Sequence, residues 1–265
     1  MYKKIISILF LIAWGTFTLA HEFWLLPKKF RFSIGEEMPI SFMVGENFEG
    51  EPWNLQKHKI ERLELHQLTK SKDLRTLVKP EAKEKLKVKL TEEGTHLLVM
   101  QSNYAFIELA GDKFNEYLKE DGLDNAYYQR KNSNTLDKPA KEFYVRFAKL
   151  LVQVGNKTDN TFKKRIGLKN EIVPDQNPYT LKSGDYLQCT VLYDGKPSPH
   201  ELVKVWNKIG NTTFLQNLYT ENDGTVKFPI NSSGPWMVSS VRMIPSEKEG
   251  ADWQTMWVSL VFGIE

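Results

Sequence analysis

One cysteine, Cys189, stands alone in 265 residues, so no disulfide can form within the chain and the fold must rest on packing. A disulfide-free exported protein suits a bacterial periplasm better than an animal extracellular space. Cys189 lies in the alternating run 186–193, which predicts a buried, inert thiol rather than a metal ligand. An excess of one charge is missing too: 36 basic residues face 33 acidic ones. Two of the lysines fall in the first twenty residues, which hold no acid, so the formal charge of +3 drops to about +1 without them. Such a chain lacks the basic surface that a phosphate backbone requires, and no nucleic acid partner is expected. The basic stretch 83–89 (KEKLKVK) alternates with Leu86 and Val88 and reads as a strand's solvated face. Internal repeats are absent, and 41% hydrophobic with 12% aromatic content excludes disorder.

Long apolar runs are also absent, apart from residues 5–13. These follow Lys3 and Lys4 and precede the small-residue end Thr18-Leu19-Ala20. That order predicts a secretory signal peptide over residues 1–20, with an uncleaved membrane anchor as the alternative. No cysteine lies near the cut, which argues against a lipid anchor there, and no membrane span is expected after cleavage.

What is present is alternation. Residues 38–44, 60–68, 86–90, 95–101 and 106–109 have period two and predict short strands. Between Gly111 and Pro139 the pattern changes. Phe114, Tyr117 and Leu118 take helical spacing up to Gly122, and a second short helix is expected over 123–130. The polar stretch 131–138 (KNSNTLDK) reads as a boundary. Strands resume at 187–192, 202–206, 225–230, 236–243 and 255–262, with turn signals at Asp194-Gly195 and Asp223-Gly224. Residues 143–154 read as a strand, although Phe143, Phe147, Leu150 and Leu151 are also helically spaced. The expectation is an all-β protein: two β-sandwich domains, 21–110 and 140–265, joined by a helical insertion at 111–139.

Several segments, taken in order, resemble a known family. They include HEFWLLP at 21–27, VGENFEG at 44–50, FNEYLKEDGL at 114–123, FAKLLVQVG at 147–155, GLKNEIVPDQNPYTLKSGD at 167–185, LYDGKP at 192–197, GPWMVSSVRM at 234–243 and DWQTMWVSLVF at 252–262. The chain is similar to a bacterial family of unknown function once described as a NikM-like nickel or cobalt uptake component. The resemblance implies export to the periplasm, a transition metal as cargo, and an Ig-like or transthyretin-like sandwich in the second half.

Cleavage after Ala20 would make His21 the first residue, and its free α-amine and imidazole Nδ1 could then chelate one metal ion. Nitrogen ligands of this kind suit Cu, Ni, Co or Zn, and an α-amine loses its proton cheaply near neutral pH. The bland alternative is a polar residue tolerated after a cleavage site. A chelating terminus needs a further ligand, and His58, His66, His96 and His200 form no short-spaced pair. His96 shares a strand face with Leu98 and Met100 and is expected half-buried. It is the first candidate for second ligand, and His200, in a loop after Pro197-Ser198-Pro199, is the next. His66 is expected in solvent beside Glu64, and His58 on the surface between Lys57 and Lys59.

Other chemistry is thin. Glu116, Glu120, Asp121 and Asp124 lack the alternation of an EF-hand loop and predict a solvated helix face. No GxSxG or phosphate-binding glycine loop occurs, and Ser239 and Ser240 have no histidine near in sequence. Trp206, Trp236, Trp253 and Trp257 are expected in the core. Three functions stay open. The favoured one is a non-catalytic periplasmic metal-binding protein serving a membrane transporter or outer-membrane receptor. The others are an adhesion module for a protein or glycan, and a copper-dependent polysaccharide monooxygenase.

Overall fold

Residues 143–154, whose spacing suits both strand and helix, belong to a 15-residue strand, Ala140–Val154, in the computed structural model, which describes residues 22–265. Residues 1–20, expected to be a signal peptide, and His21 lie outside the described residues. The first half supplies β1 (Glu22–Pro27), β2 (Arg31–Phe32), β3 (Glu37–Glu46), β4 (Glu49–Pro52), β5 (Ile60–His66), β6 (Ser71–Asp73), β7 (Leu86–Lys89), β8 (Gly94–Ser102) and β9 (Ala105–Leu109). Helices α1 (Gly111–Glu120) and α2 (Asp124–Asn132) follow, and then the long strand β10 (Ala140–Val154). The rest is β11 (Asn170–Pro174), β12 (Tyr186–Tyr193), β13 (Lys196–Pro197), β14 (Leu202–Ile209), β15 (Thr212–Tyr219), β16 (Thr225–Pro229), β17 (Gly234–Pro245) and β18 (Trp253–Ile264). The protein is all-β, with these two short helices. Among the described residues no helix is long and apolar enough to cross a membrane.

The strands form three sheets. The largest has ten strands in the order β15-β14-β17-β18-β10-β8-β5-β6, with β2 and β9 added along β10. A four-stranded sheet holds β1, β3, β4 and β7, and another holds β11, β12, β13 and β16. Strand β10 pairs parallel with β18, from Glu142↔Trp253 to Leu150↔Val261, and antiparallel with β8 and β9. It therefore hydrogen-bonds to both halves of the chain, and the expected boundary at 131–138 falls just before this shared strand.

Alternation along the central strands explains the layering. Leu98, Met100, Ala148, Leu150 and Val152 pack with Trp24, Ile40, Phe42 and Leu86 of the first small sheet. The intervening Leu97, Val99, Val145, Phe147 and Leu151 pack with Ile172, Leu187, Val191 and Phe228 of the second. Because successive side chains point to opposite faces, the central sheet is the middle of three layers. Strand β18 is consequently buried at every position, including the polar Gln254, Thr255 and Ser259. The helices cover what remains of the first face: Phe114, Tyr117 and Leu118 pack on Ala140, Trp253 and Trp257. All four tryptophans expected in the core are buried there, and Cys189 is a buried free thiol. Leu86 and Val88 are buried while Lys87 and Lys89 face solvent, as the alternation predicts.

One ion pair is sealed between layers. Lys149 on β10, fully buried, donates to Glu171 Oε1 on β11 at 2.9 Å and to the Lys164 carbonyl at 3.3 Å. Glu171 also accepts the backbone N–H groups of Ile166 and Gly167, at 2.8 and 3.0 Å.

Candidate functional site

The described chain begins at a buried polar cluster. The first residues of β1 rest on the central sheet, where Ser259 Oγ donates to the Phe23 carbonyl at 2.6 Å. The Glu22 carboxylate is buried and accepts from Lys204 Nζ of β14 at 3.4 Å. The same ammonium donates to Asp121 Oδ1 at 2.6 Å, just past α1. Burial pushes Asp121 up to about 6, even though Lys204 favours its ionised form. Burial also opposes the Lys204 charge, but Asp121 and Glu22 outweigh it and hold the ammonium above its usual range.

Next to this triad lies Glu142 of β10, 1% exposed. Tyr117 Oη donates to its Oε1 at 3.4 Å, and its Oε2 has no hydrogen-bond partner. Burial raises its carboxyl to about 8, with the nearby Asp121 adding to the rise, so it is largely protonated at neutral pH. The Tyr117 ring stacks on Trp257 at 6.1 Å, and the indole Nε1 is likewise buried without a partner. The carboxylate group expected on a solvated face is thus divided: Glu116, Glu120 and Asp124 are exposed, and Asp121 is not. The missed signal is periodicity, because Asp121 continues the inward series Phe114, Tyr117, Leu118 at helical spacing.

The turn between the helices connects this cluster to an open cleft of about 780 Å³. Gly122 makes the connection with φ +65°, and a Cβ there would lie 2.8 Å from the Leu202 side chain. Across the cleft, Arg242 Nη1 donates to Ser198 Oγ at 3.0 Å and pairs with Glu201, while its guanidinium sits 4.2 Å from the Tyr193 ring centre. Its Nε is buried and unpartnered. His200 lines this cleft, exposed, in the left-handed region at φ 59°. Its backbone N–H bonds the Thr220 carbonyl at 3.0 Å.

The other histidines are elsewhere. His96, expected half-buried, is 1% exposed. Its Nδ1 lies 3.1 Å from the Gly94 carbonyl and its Nε2 2.9 Å from Gln67 Nε2, so both ring nitrogens are engaged. Burial lowers its pKa and keeps the ring neutral. His66, expected in solvent, is partly buried and lies 2.7 Å from Glu64 Oε2. It stands opposite Leu97, so the rings of His66 and His96 leave the central sheet on opposite faces. His58 stacks on Trp53 at 5.0 Å. Among the described residues no three His, Cys, Asp or Glu side chains gather closely enough to hold a metal ion.

No curated protein matches the chain. Among solved structures it is similar to trypsin-activated alpha-2-macroglobulin from Escherichia coli, at 9% identity and TM-score 0.21, over 92% of this chain and 15% of that one. A likeness that distant carries no argument, and the chain spans only a small part of that protein. The family comparison is different in kind. A model described as a domain of unknown function, DUF4198, matches residues 18–243, and the chain belongs to that family.

Proposed function

We propose that the chain acts from His21 onward as an exported, non-catalytic transition-metal-binding protein that takes up or hands on nickel, cobalt or copper in the periplasm. The α-amine and imidazole of His21 anchor the ion, and Asp121 supplies an oxygen ligand. One observation carries this reading. Glu22, the residue bonded to His21, is buried and joined through Lys204 to Asp121, a carboxylate held near neutrality by burial. In the same cluster Glu142 Oε2 is buried with no hydrogen-bond partner. The described residues alone bring too few donors together, which is why the terminal amine and ring are needed. The resemblance to the nickel and cobalt uptake family points to a membrane transporter or outer-membrane receptor as the recipient.

Titration calorimetry with Cu(II) and Ni(II) tests it on protein beginning at His21. An alanine added ahead of His21 keeps every side chain but moves the free amine, and should weaken binding by ~100-fold or more. Asp121→Asn should weaken it less, and His58→Ala should leave it unchanged. Equal affinity for the extended and native proteins would overturn the reading. An adhesion module is then the stronger alternative, favoured by the cleft that gathers His200, Tyr193 and Arg242.

A further inference from the structure

An exposed sheet edge is a row of unpaired backbone donors and acceptors, and proteins blunt it with short strands, charge or proline. Nearly every terminal strand here follows that rule. On the central sheet, β6 is three residues long and reads SKD, β2 is two residues long and contains Arg31, and β9 carries Glu108. On the small sheets, β4 reads EGEP and β7 LKVK, while β13 is the pair Lys196-Pro197 and β16 reads TVKFP. Strands β1 and β11 each contain a glutamate and end in proline.

Strand β15 breaks the rule. It closes one end of the ten-stranded sheet, pairs only with β14 among the described strands, and reads TTFLQNLY over eight residues. It has no charge, no proline and no glycine. Exposed apolar side chains stand on both of its faces, among the uncharged polar Thr212 and Asn217: Phe214 is 52% exposed on one, and Leu215 and Tyr219 are 43% and 57% exposed on the other. An open groove of about 430 Å³ runs beside it, lined by Val205, Ile209, Phe214, Leu215 and Pro229.

We infer that β15 is the seam of a homodimer, in which two copies pair their β15 strands antiparallel across a twofold axis and join two ten-stranded sheets into one. A second copy suits this edge because an uncharged strand meets itself without like-charge repulsion. A twofold perpendicular to the sheet keeps each side chain on its own face, so only residues of equal parity can stand opposite one another. Placing the axis at Gln216 sets it against its own copy, Phe214 against Leu218, and Thr213 against Tyr219. Each exposed aromatic ring then gains a cross-strand neighbour on its own face. Each strand spans roughly 27 Å, enough to seat a continuous interface with the groove residues on either side.

Sedimentation velocity of the chain from His21 onward, up to about 100 µM, should show a species of twice the chain mass. Gln216→Lys and Gln216→Glu should each weaken association ~10-fold or more, because like charges then face across the axis. An equimolar mixture of the two should restore the dimer, a rescue that misfolding of either variant could not produce. Leu215→Lys should give a monomer with an unchanged circular dichroism melt. A wild-type monomer throughout this range would overturn the inference, as would a dimer indifferent to both Gln216 substitutions. A monomer that instead captures an added apolar extended peptide at β15 would also overturn it, in favour of a foreign strand.

Discussion

Two lysines meet buried carboxylates on opposite faces of the central sheet, Lys149 buried and Lys204 half-buried, and their surroundings differ. Lys149 meets one carboxylate, and Glu171 is saturated by the ammonium and two backbone N–H groups. Lys204 is shared between Glu22 and Asp121, with the protonated Glu142 nearby holding one oxygen unbonded. The first arrangement has the ammonium and both carboxylate oxygens hydrogen-bonded, and it fixes how β11 lies on β10. The second has a surplus of acceptors and carboxyls that titrate near neutrality, where a cation can compete. Saturation marks architecture here, and incompleteness marks the place where chemistry can enter.

The largest effect should come from breaking the saturated pair. Lys149→Met leaves Glu171 buried without its cation and should cost about 3–5 kcal/mol in urea unfolding. Adding Glu171→Leu should recover most of that loss, since an apolar pair of similar volume needs no desolvation. If the double variant is as unstable as the single one, the backbone donors of Ile166 and Gly167 are what the carboxylate serves.

A smaller, pH-dependent effect belongs to Glu142. Its folded pKa, about 8, lies above the ordinary carboxyl range. Its contribution is therefore intact at low pH and is lost as pH rises from the unfolded value through the folded one. Glu142→Gln should abolish that slope and be more stable than the wild type by ~3 kcal/mol near pH 9, with little difference near pH 4. Parallel pH profiles for the two proteins would mean that Glu142 is ionised in the fold. The smallest change is expected for Asp121→Asn. Its raised pKa, about 6, likewise costs stability as pH rises through that value, but the variant also loses the Lys204 hydrogen bond. The two effects should nearly cancel, within ~1 kcal/mol at about pH 7, while the slope between about pH 4 and 6 flattens.

Much of the fold was legible because strands announce themselves by alternation. Leu86 and Val88 turn inward between lysines, and Asp194-Gly195 makes the β12–β13 turn with φ 52° and 74°. The layering was not legible. Period two says that β10 has two faces, not that distant sheets cover both, so it gives no sign that Glu142 and Lys149 are each buried. Parallel pairing with β18 joins residues more than a hundred positions apart, beyond any local pattern. Of the candidate ligands, His200 was correctly read as a loop residue, but the cleft around it depends on the helical turn folding against it. His96 looked half-buried because nothing local reveals that Gln67 closes over its ring.

The position of β18 has a consequence for how the molecule comes together. This strand lies between β17 and β10, yet it is specified by residues 253–264. A chain emerging from its N-terminus can build β5, β8 and β10 early, but one side of β10 stays open until those last residues arrive. Closure waits on contacts of very long sequence separation, so folding should be slow, and a half-made chain would expose an apolar edge open to misassociation.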